Sequence, residues 1–268
     1  MKEPELRFTG SVPEKYEALM VPLIFRPYAE ELARRAQAFQ PRRVLETAAG
    51  TGAVTRALAQ ALPDAEIVAS DLNQPMLDVN AARIGSAPVR FVEADAQQLP
   101  FEDESFDLVV CQFGSMFFPD KIRGHSEARR VLRDGGRYLL AIWDSIERNP
   151  VTEVTQQVLI DTFPDDPPLF MREGPFGYAD PLRIESDLHE AGFGTVEIET
   201  VELRSRSPSA RDAAVALCYG TPMGTELDER EPGSLERVFP LVEQALRQFE
   251  GPGGVDAPMS AHVVTATK

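Results

Sequence analysis

Short apolar runs typical of strands alternate along the first half of the chain with apolar residues at helical spacing. The apolar pair Val44-Leu45 ends at Glu46, which predicts a short buried strand. Gly50 and Gly52 follow, and glycine lets the backbone turn tightly. Residues 53–61 then repeat alanine and leucine at helical spacing. The pattern predicts a strand, a glycine-containing turn and a helix in close succession.

The next apolar segment, residues 66–70, predicts a second strand that ends on Asp71. Asp71 lies 21 positions after Gly50. This arrangement is typical of nucleotide sites, because glycines bring the main chain close to the ligand and the helix start presents free N–H groups. A carboxylate at the tip of the neighbouring strand then accepts hydrogen bonds from ribose hydroxyls.

The spacing of the glycines distinguishes between two possible cofactors. A dinucleotide turn has the form Gly-x-Gly-x-x-Gly, but Thr55 stands at the third glycine position when Gly50 is counted as the first. Glu46 would repel a pyrophosphate, whereas a carboxylate suits a ligand that carries an ammonium and a sulfonium group. The pattern therefore favours S-adenosylmethionine over NAD.

Further strands follow at regular intervals. Residues 89–95 predict a third strand ending in Asp95, and an acidic turn at 102–104 precedes a fully apolar strand at Leu108–Cys111. Residues 126–143 predict a helix, a turn at Gly135-Gly136 and another buried strand. Strands that alternate with helices indicate an α/β fold with a largely parallel sheet.

In this order the motifs resemble the class I S-adenosylmethionine-dependent methyltransferases, in particular the group related to the ubiquinone and menaquinone biosynthesis methyltransferases. The resemblance is carried by VLETAAGTG (44–52), by Asp71, by Asp95-Ala96 with the following LPF, and by RVLRDGGRYLL (130–140). It covers roughly residues 40–145 and extends more weakly to residues 191–203 and to the terminal HVVTATK. Ala48 and Asp134 depart from the family pattern, which usually has Gly and Pro there.

The resemblance implies a Rossmann-like, seven-stranded, mostly parallel sheet with an antiparallel last strand, helices on both faces, and helical cap elements. It implies one methyltransferase domain over 1–268, made of an N-terminal helical cap (1–39), a cofactor-binding core (40–145), and substrate-cap elements with the last two strands (146–268). The implied activity is transfer of a methyl group from S-adenosylmethionine to a small-molecule acceptor by direct in-line displacement.

A cofactor site at the carboxyl edge of the sheet follows from the strand ends and the resemblance together. Its predicted residues are Tyr16, Glu46, Ala48, Gly50, Gly52, Asp71, Leu72, Met76, Asp95, Ala96 and Gln112.

Four of these residues have a structural interpretation as well. Glu46 could hydrogen-bond the N–H groups of its own loop, and Asp71 could cap a helix that starts near residue 74. Asp95 could be a surface acid in a turn. Met76 could belong to the core or lie flat against the adenine.

The remaining segments predict caps around the sheet. Near the N-terminus we predict a capping box at Ser11 and Glu14, an interruption of the following segment at Pro22, and a helix from Pro27. After the core we predict helices over 150–163 and near 181–190, a strand at 195–203 and mostly helix over 208–250. A Pro/Gly-rich break at 251–258 then precedes a closing strand at 261–266. The segment Met116–Phe118 is interpreted as core, with the lip of an acceptor pocket as the alternative.

Composition reduces the number of possible functions further. The formal charge of −16 repels phosphate backbones, so nucleic acid is a poor substrate. Cys111 and Cys218 give no disulfide framework, and neither a signal peptide nor a membrane-spanning run is present, so a cytoplasmic location is expected. The three scattered histidines show no metal-binding spacing.

Three function hypotheses remain. The first is a small-molecule methyltransferase, the second a protein that binds S-adenosylmethionine without catalysis, and the third a nicotinamide-dependent oxidoreductase. No catalytic base is selected, since Tyr16, Tyr28, His125 and Tyr178 are all conceivable. The acceptor atom (O, N, C or S) and the oligomeric state are left open.

Overall fold

The centre of the protein is one β-sheet. The computed structural model describes residues 16–268. The strands are β1 (Arg43–Glu46), β2 (Glu66–Asp71), β3 (Val89–Glu93), β4 (Phe106–Gln112), β5 (Leu132–Trp143), β6 (Thr195–Ser207), β7 (Glu250–Gly251) and β8 (Gly254–Thr267). Their order is β3-β2-β1-β4-β5-β8-β6, with β7 pairing to β8 alone. Strands β1 to β5 pair in parallel, and β8 is antiparallel to both β5 and β6. The predicted mostly parallel sheet with an antiparallel last strand is confirmed, with β7 as an additional short strand.

Helices surround this sheet. They are a π-helix at Tyr16–Phe25 and the α-helices α1 (Arg26–Phe39), α2 (Ala53–Ala61), α3 (Gln74–Arg83), α4 (Lys121–Val131), α5 (Pro150–Thr162), α6 (Phe170–Glu173), α7 (Pro181–Glu190), α8 (Ala210–Tyr219), α9 (Met223–Arg230) and α10 (Ser234–Leu246). The helices predicted from Pro27, over 150–163 and near 181–190 lie where the sequence placed them. In the part of the chain that the structure describes, no helix has both the length and the apolar character needed to span a membrane.

The apolar strands form the middle of the core. Leu108 to Cys111 of β4 are fully buried, and so are Leu139 to Ile142 of β5. Both strands have neighbours on either edge and helices on either face, so nearly every side chain must be apolar rather than every second one. The continuous apolar runs read from the sequence therefore mark the centre of the sheet.

The Pro/Gly-rich segment 251–258 is not a loop throughout, since β8 begins at Gly254. The predicted strand at 261–266 is therefore too short. Pro258 pairs with Arg204 of β6, whereas pairing with β5 starts only at Ala261. At Pro258 one edge of β8 has no strand beside it, so the missing N–H disrupts no ladder there.

The predicted turn at Gly135-Gly136 lies within β5. Leu132 pairs with Phe106 and Arg137 pairs with Leu108, so five steps on β5 match two on β4. Gly135 adopts a φ of 72°, which glycine tolerates without strain. The glycines accommodate extra residues in a bulge and do not end the strand.

The N-terminal π-helix packs against β6, α1 and α8. Pro22 lies inside the π-helix, which runs directly into α1 at Arg26, so the predicted interruption at Pro22 is wrong. Proline has no N–H to donate, and a wider helical turn accommodates it. The capping box at Ser11 and Glu14 lies outside the described residues.

The turn after β1 contains a residue in an unusual conformation. Ala48, which replaces the usual glycine of the family pattern, has a φ of 53°. A side chain in this left-handed region costs free energy that glycine would not. The Ala48 methyl also lies against Gly114, where an added Cβ would come within 2.3 Å of the Ala48 Cβ. Gly114 therefore leaves room for the side chain of Ala48.

Tyr28→Phe should lower the free energy of unfolding by about 1–2 kcal/mol. The Tyr28 hydroxyl is fully buried and donates to the carbonyl oxygen of Val201 at 2.8 Å, which holds α1 against the paired strands β6 and β8. Urea denaturation measures the change. Tyr138→Phe is the control and should cost much less, because the buried Tyr138 hydroxyl forms no hydrogen bond with any described residue. Equal losses in the two variants would contradict this assignment.

Gly114→Ala should destabilise the protein by about 1–3 kcal/mol through overpacking against Ala48. The double variant Ala48→Gly/Gly114→Ala should recover at least about 1 kcal/mol of that loss, because the opposing methyl has gone. Chemical denaturation of the wild type, both single variants and the double variant measures the coupling. Strict additivity would show that the two positions are independent.

Candidate cofactor site

A cleft opens at the carboxyl ends of β1 and β4, beneath the π-helix. Its lining residues are Tyr16, Val21, Phe25, Glu46, Ala48, Ala49, Gly50, Thr51, Ala53, Val54 and Gln112. Five predicted site residues, namely Tyr16, Glu46, Ala48, Gly50 and Gln112, are thus brought together on one cleft. Gly52 and Asp71 support its glycine-containing turn.

Glu46 is a buried acid at the end of β1, with 2% of its surface exposed. Its Oε2 accepts a hydrogen bond from the Thr55 hydroxyl at 2.6 Å, and Asn80 donates to the same hydroxyl at 2.8 Å. The side-chain hydrogen bond of Glu46 thus goes to helix α2, not to its own loop. Burial raises the pKa of Glu46 to about 8, with the nearby Asp71 adding to the rise and the Thr55 hydroxyl opposing it.

Asp71 fastens the glycine-containing turn to the end of β2. Its Oδ2 accepts from the Gly50 N–H at 2.8 Å, and its Oδ1 accepts from the Asn73 N–H at the same distance. The N-cap of α3 is Asn73, so the helix-cap interpretation of Asp71 does not hold. Burial raises the pKa of Asp71, while the two N–H donors act in the opposite direction.

The two glycines are needed for different reasons. Gly50 has a φ of 54° with open space around it, so its backbone conformation is what favours glycine. Gly52 has a φ of 91° at the start of α2, and an added Cβ would also come within 2.0 Å of the Asn80 side-chain oxygen. The turn and the packing of α3 against α2 therefore both exclude a side chain at Gly52.

Glu17 was missed by sequence reasoning. It is 6% exposed, accepts a hydrogen bond from the Thr51 hydroxyl and forms an ion pair with Arg56, both at 2.6 Å. These contacts hold the π-helix against the glycine-containing turn and the start of α2. No local motif marks Glu17, because its partners lie 34 and 39 positions away.

Tyr16 stands beside Glu17 at the mouth of the cleft and stacks on Phe25 with ring centroids 5.1 Å apart. Burial raises the pKa of the Tyr16 phenol, and the neighbouring charges of Asp71 and Glu17 raise it further. The phenol is therefore neutral at physiological pH.

Gln112 supplies a polar atom that has no hydrogen-bond partner among residues 16–268. Its amide nitrogen donates to the carbonyl oxygen of Phe25 at 3.2 Å. Its Oε1 is buried without a hydrogen bond to any group in the described residues. A buried acceptor of this kind carries a desolvation cost that a ligand N–H or ammonium group would relieve.

The other four predicted site residues do not line the cleft. Leu72 is 64% exposed immediately after Asp71, and Met76 is buried in α3, as its core interpretation required. Asp95 is exposed, and its side chain accepts from the N–H of Gln97 in a turn. Ala96 is partly buried against the main core. Their contact with a cofactor stays a prediction.

The conceivable bases are placed very differently. The Tyr28 hydroxyl is bonded to backbone carbonyls in the core, and the Tyr178 hydroxyl donates to Asp187 at 2.9 Å. His125 is fully buried, and burial lowers its pKa to about 4. Of the four candidates only Tyr16 lines the cleft. The core interpretation fits Met116 and Phe118, while Phe117 is 37% exposed.

Taken together, the cleft has a buried acid on one wall, a second acid behind the glycine-containing turn, and an unpaired carbonyl oxygen from Gln112. Such an acid-bearing site fits a ligand with a cationic group and hydroxyls. Within residues 16–268, His, Cys, Asp and Glu side chains form no group that could hold a metal ion.

Residues 45–140 match a family model described as a methyltransferase domain. The demethylmenaquinone methyltransferase of Deinococcus radiodurans is 40% identical over 136 residues, which are 49% of this chain and 56% of that protein. The Thermotoga maritima enzyme of the same name is 33% identical over 52% of this chain and 61% of its own length. The chain thus spans little more than half the length of these curated relatives.

Solved structures share the fold over most of the chain. A methyltransferase candidate from Bacillus halodurans C-125 is 26% identical, with a TM-score of 0.58, over 89% of this chain and 98% of that one. Phosphoethanolamine N-methyltransferase 2 of Haemonchus contortus, solved with S-adenosyl-L-methionine, is 17% identical with a TM-score of 0.61 over 97% of this chain and 57% of that one. Residues 45–140 therefore match a methyltransferase domain, and the chain is similar in sequence to the demethylmenaquinone methyltransferases of Deinococcus radiodurans and Thermotoga maritima.

Proposed function

We propose that this protein transfers the methyl group of S-adenosylmethionine to a small-molecule acceptor, and that residues 1–268 act as one methyltransferase domain in the cytoplasm. The observation that carries the proposal is the pair of buried acids, Glu46 and Asp71, on either side of one glycine-containing turn. A cofactor with an adenosine ribose and a cationic end has a partner for each acid. The negative charge of the whole chain and the names of its relatives favour a small acceptor over nucleic acid.

In this proposal different residues bind different parts of the cofactor. Asp71 accepts from the ribose hydroxyls, with Leu72 beside it, and Glu46 with the free Oε1 of Gln112 receives the cationic end. Ala48, Gly50 and Gly52 keep the turn close to the ligand. Met76, Asp95 and Ala96 are assigned to the adenine side on the resemblance alone, and Tyr16 closes the mouth of the cleft.

When bound, S-adenosylmethionine supplies an electrophilic methyl group for direct in-line displacement, so no protein nucleophile is needed. The contribution of the chain is then positional: holding the acceptor about 3–3.5 Å away and aligned can account for roughly 7–11 kcal/mol. The π-helix, fastened by Glu17 to Thr51 and Arg56, excludes water from one side of the cleft. A base is required only if the acceptor keeps its proton to the transition state.

The two alternatives differ in support. A nicotinamide-dependent oxidoreductase is disfavoured, because Thr55 replaces the third glycine and donates to an acid that would face the pyrophosphate. A protein that binds the cofactor without catalysis has the same cleft. Product formation in a screen of acceptors, beginning with quinols because of the relatives' names, distinguishes that alternative from the proposed enzyme.

Asp71→Asn should weaken S-adenosylhomocysteine binding by about 1.5–3 kcal/mol, because a charge-assisted hydrogen bond to the ribose is lost while the side-chain shape is kept. Calorimetric titration measures the affinity, and thermal unfolding checks that the turn still forms. Asp78→Asn is the matched control, since Asp78 is exposed on α3 and bonds only to Gln74 at the surface. Wild-type affinity in Asp71→Asn would remove the ribose assignment.

Cofactor binding should release a proton from Glu46 at pH values below about 8. The folded-state pKa lies above the ordinary value, so the empty carboxyl is mostly protonated at pH 6, and a ligand cation favours the ionised form. Affinity for S-adenosylmethionine should therefore rise by up to tenfold per pH unit between about 5 and 8 and level off above. Calorimetry in two buffers of different ionisation enthalpy measures the released proton.

Glu46→Gln should abolish this proton release and flatten the pH dependence, and it should weaken binding above pH 8. Comparison with S-adenosylhomocysteine, which lacks the sulfonium charge, identifies the group that Glu46 faces. Release with both ligands indicates the ammonium group, and release with S-adenosylmethionine alone indicates the sulfonium. A wild-type protein that binds without proton release would leave Glu46 with the purely structural role of anchoring Thr55.

A further inference from the structure

A buried chain of two hydrogen bonds runs from helix α3 through helix α2 to the wall of the cofactor cleft. The Asn80 amide nitrogen donates to the Thr55 hydroxyl at 2.8 Å, and that hydroxyl donates to Oε2 of Glu46 at 2.6 Å. Asn80 and Thr55 are fully buried, and Glu46 is 2% exposed. The chain therefore joins three elements inside the protein and ends on the acid that lines the cleft.

The direction of this chain is set at its Asn80 end. A hydroxyl carries one hydrogen, so it can donate to only one of its two neighbours. Because the Asn80 N–H is directed at the Thr55 oxygen, the Thr55 hydrogen is left for Glu46. Oε2 of Glu46 is thereby held as an acceptor, and a hydroxyl that itself accepts a hydrogen bond is a stronger donor.

Asn80 carries a free-energy cost at this position. Its Oδ1 is buried and forms no hydrogen bond with any described residue. The same oxygen lies against Gly52, where an added Cβ would come within 2.0 Å of it. An apolar side chain of the same shape would avoid this desolvation cost. Among residues 16–268 the Asn80 side chain hydrogen-bonds only to Thr55, so its polar character acts through that hydroxyl.

Groups around Glu46 act on its charge in both directions. Burial raises the pKa of Glu46 to about 8, and Asp71 at the end of β2 adds to the rise. The Thr55 hydroxyl is the strongest opposing influence, and Arg56 of α2 is a weaker one. The hydroxyl that Asn80 orients is therefore the main group that stabilises the ionised carboxyl.

The other elements around the cleft supply less. The π-helix brings Glu17, which pairs with Arg56 at 2.6 Å, and Tyr16, whose phenol is neutral because burial raises its pKa. Strand β4 brings the uncharged amide of Gln112. No further cation lines the cleft within the part of the chain that the structure describes, so the Thr55 hydroxyl has no charged substitute there.

We propose that Asn80 is a positioning residue for the cofactor site: by directing the Thr55 hydroxyl at Glu46, it favours the charged carboxylate that receives the cationic end of the cofactor. This inference rests on the proposed binding of S-adenosylmethionine and adds a residue that does not itself line the cleft. Asn80 acts through Thr55, so its effect lies in the pH at which Glu46 ionises and not in the shape of the cleft.

Asn80→Leu keeps the shape of the side chain and removes the donor. Side-chain ¹³C labelling of glutamate follows the ionisation of Glu46 in the cofactor-free protein, and Glu46→Gln identifies its resonance. The midpoint should rise by about 0.5–1 pH unit in Asn80→Leu, because a neutral hydrogen bond changes an equilibrium about three- to tenfold. Affinity for S-adenosylmethionine at about pH 7 should fall by the same factor, and the ratio of the two affinities should approach one at about pH 9.5.

Ser70→Ala is the matched control. The buried Ser70 hydroxyl donates to the main-chain carbonyl oxygen of Glu46 at 3.0 Å, so its loss removes a hydrogen bond to the same residue without touching the carboxyl. The midpoint should stay at the wild-type value. In Thr55→Val, which lacks the hydroxyl, the midpoint should rise at least as far as in Asn80→Leu, and adding Asn80→Leu should shift it no further.

Asn80→Asp is a second variant at the same position. Its ionised carboxylate cannot donate and takes the Thr55 hydrogen for itself, so the midpoint should rise further than in Asn80→Leu. Thermal unfolding checks that each variant is folded.

Equal midpoints in the wild type and both Asn80 variants, or a further shift when Asn80→Leu is added to Thr55→Val, would overturn the positioning role. If the wild type binds S-adenosylmethionine and these midpoints are equal, only this inference fails. If the midpoints shift as expected but the wild type does not bind S-adenosylmethionine, the proposed function fails, and the role of Asn80 toward a cofactor fails with it.

Discussion

The hydrogen bond from the Gly50 N–H to Asp71 is the contact on which the rest of the site depends. It joins the turn after β1 to the tip of β2 at 2.8 Å and sets the position of the main chain that lines the cleft. The same carboxylate also accepts from the Asn73 N–H, so the end of β2 and the start of α3 are fixed by one side chain. Moving Asp71 would therefore displace three elements together.

This organisation keeps acids in a poorly solvated place. Glu46 and Asp71 are both nearly buried, and burial, with a smaller contribution from the nearby Asp71, raises the pKa of Glu46 to about 8. Thr55 and Asn80 offset part of the cost of burial by hydrogen bonding. A fold selected for stability alone would gain from replacing such a group by an apolar one. The arrangement is understandable when a cation enters the cleft and restores the missing charge partner.

An aromatic cluster lies at the end of β5 and borders the cofactor cleft through Phe25. In it Trp143 contacts Phe113, Phe25 and Tyr28, and Phe113 contacts Phe25 and Tyr28 as well, with centroids between 3.8 and 6.3 Å apart. Phe25 and Tyr28 come from the N-terminal helices, Trp143 ends β5 and Phe113 follows β4, so their packing holds these helices against the sheet. Close-packed rings cannot shift singly, and this side of the cleft is therefore rigid.

The sequence by itself determined the local architecture: the strand, glycine-containing turn and helix at 44–61, the acids at the ends of β1 and β2, and the buried strands β4 and β5. These features follow from hydrophobic period and residue type within about a dozen positions, which is the range over which a strand, a turn or a helix forms. The resemblance to a known family then supplied the order of the sheet and its antiparallel last strand.

Only the tertiary structure decided which distant residues meet. Glu17 reaches Thr51 and Arg56 across more than thirty positions, and Tyr28 bonds to carbonyl oxygens of the paired strands β6 and β8, which lie 173 and 231 positions away. Pro258 could be placed inside a strand only once the free edge of β8 was known. Such features depend on contacts between segments that local periodicity treats independently, because burial and pairing are properties of the packed chain and not of any one segment.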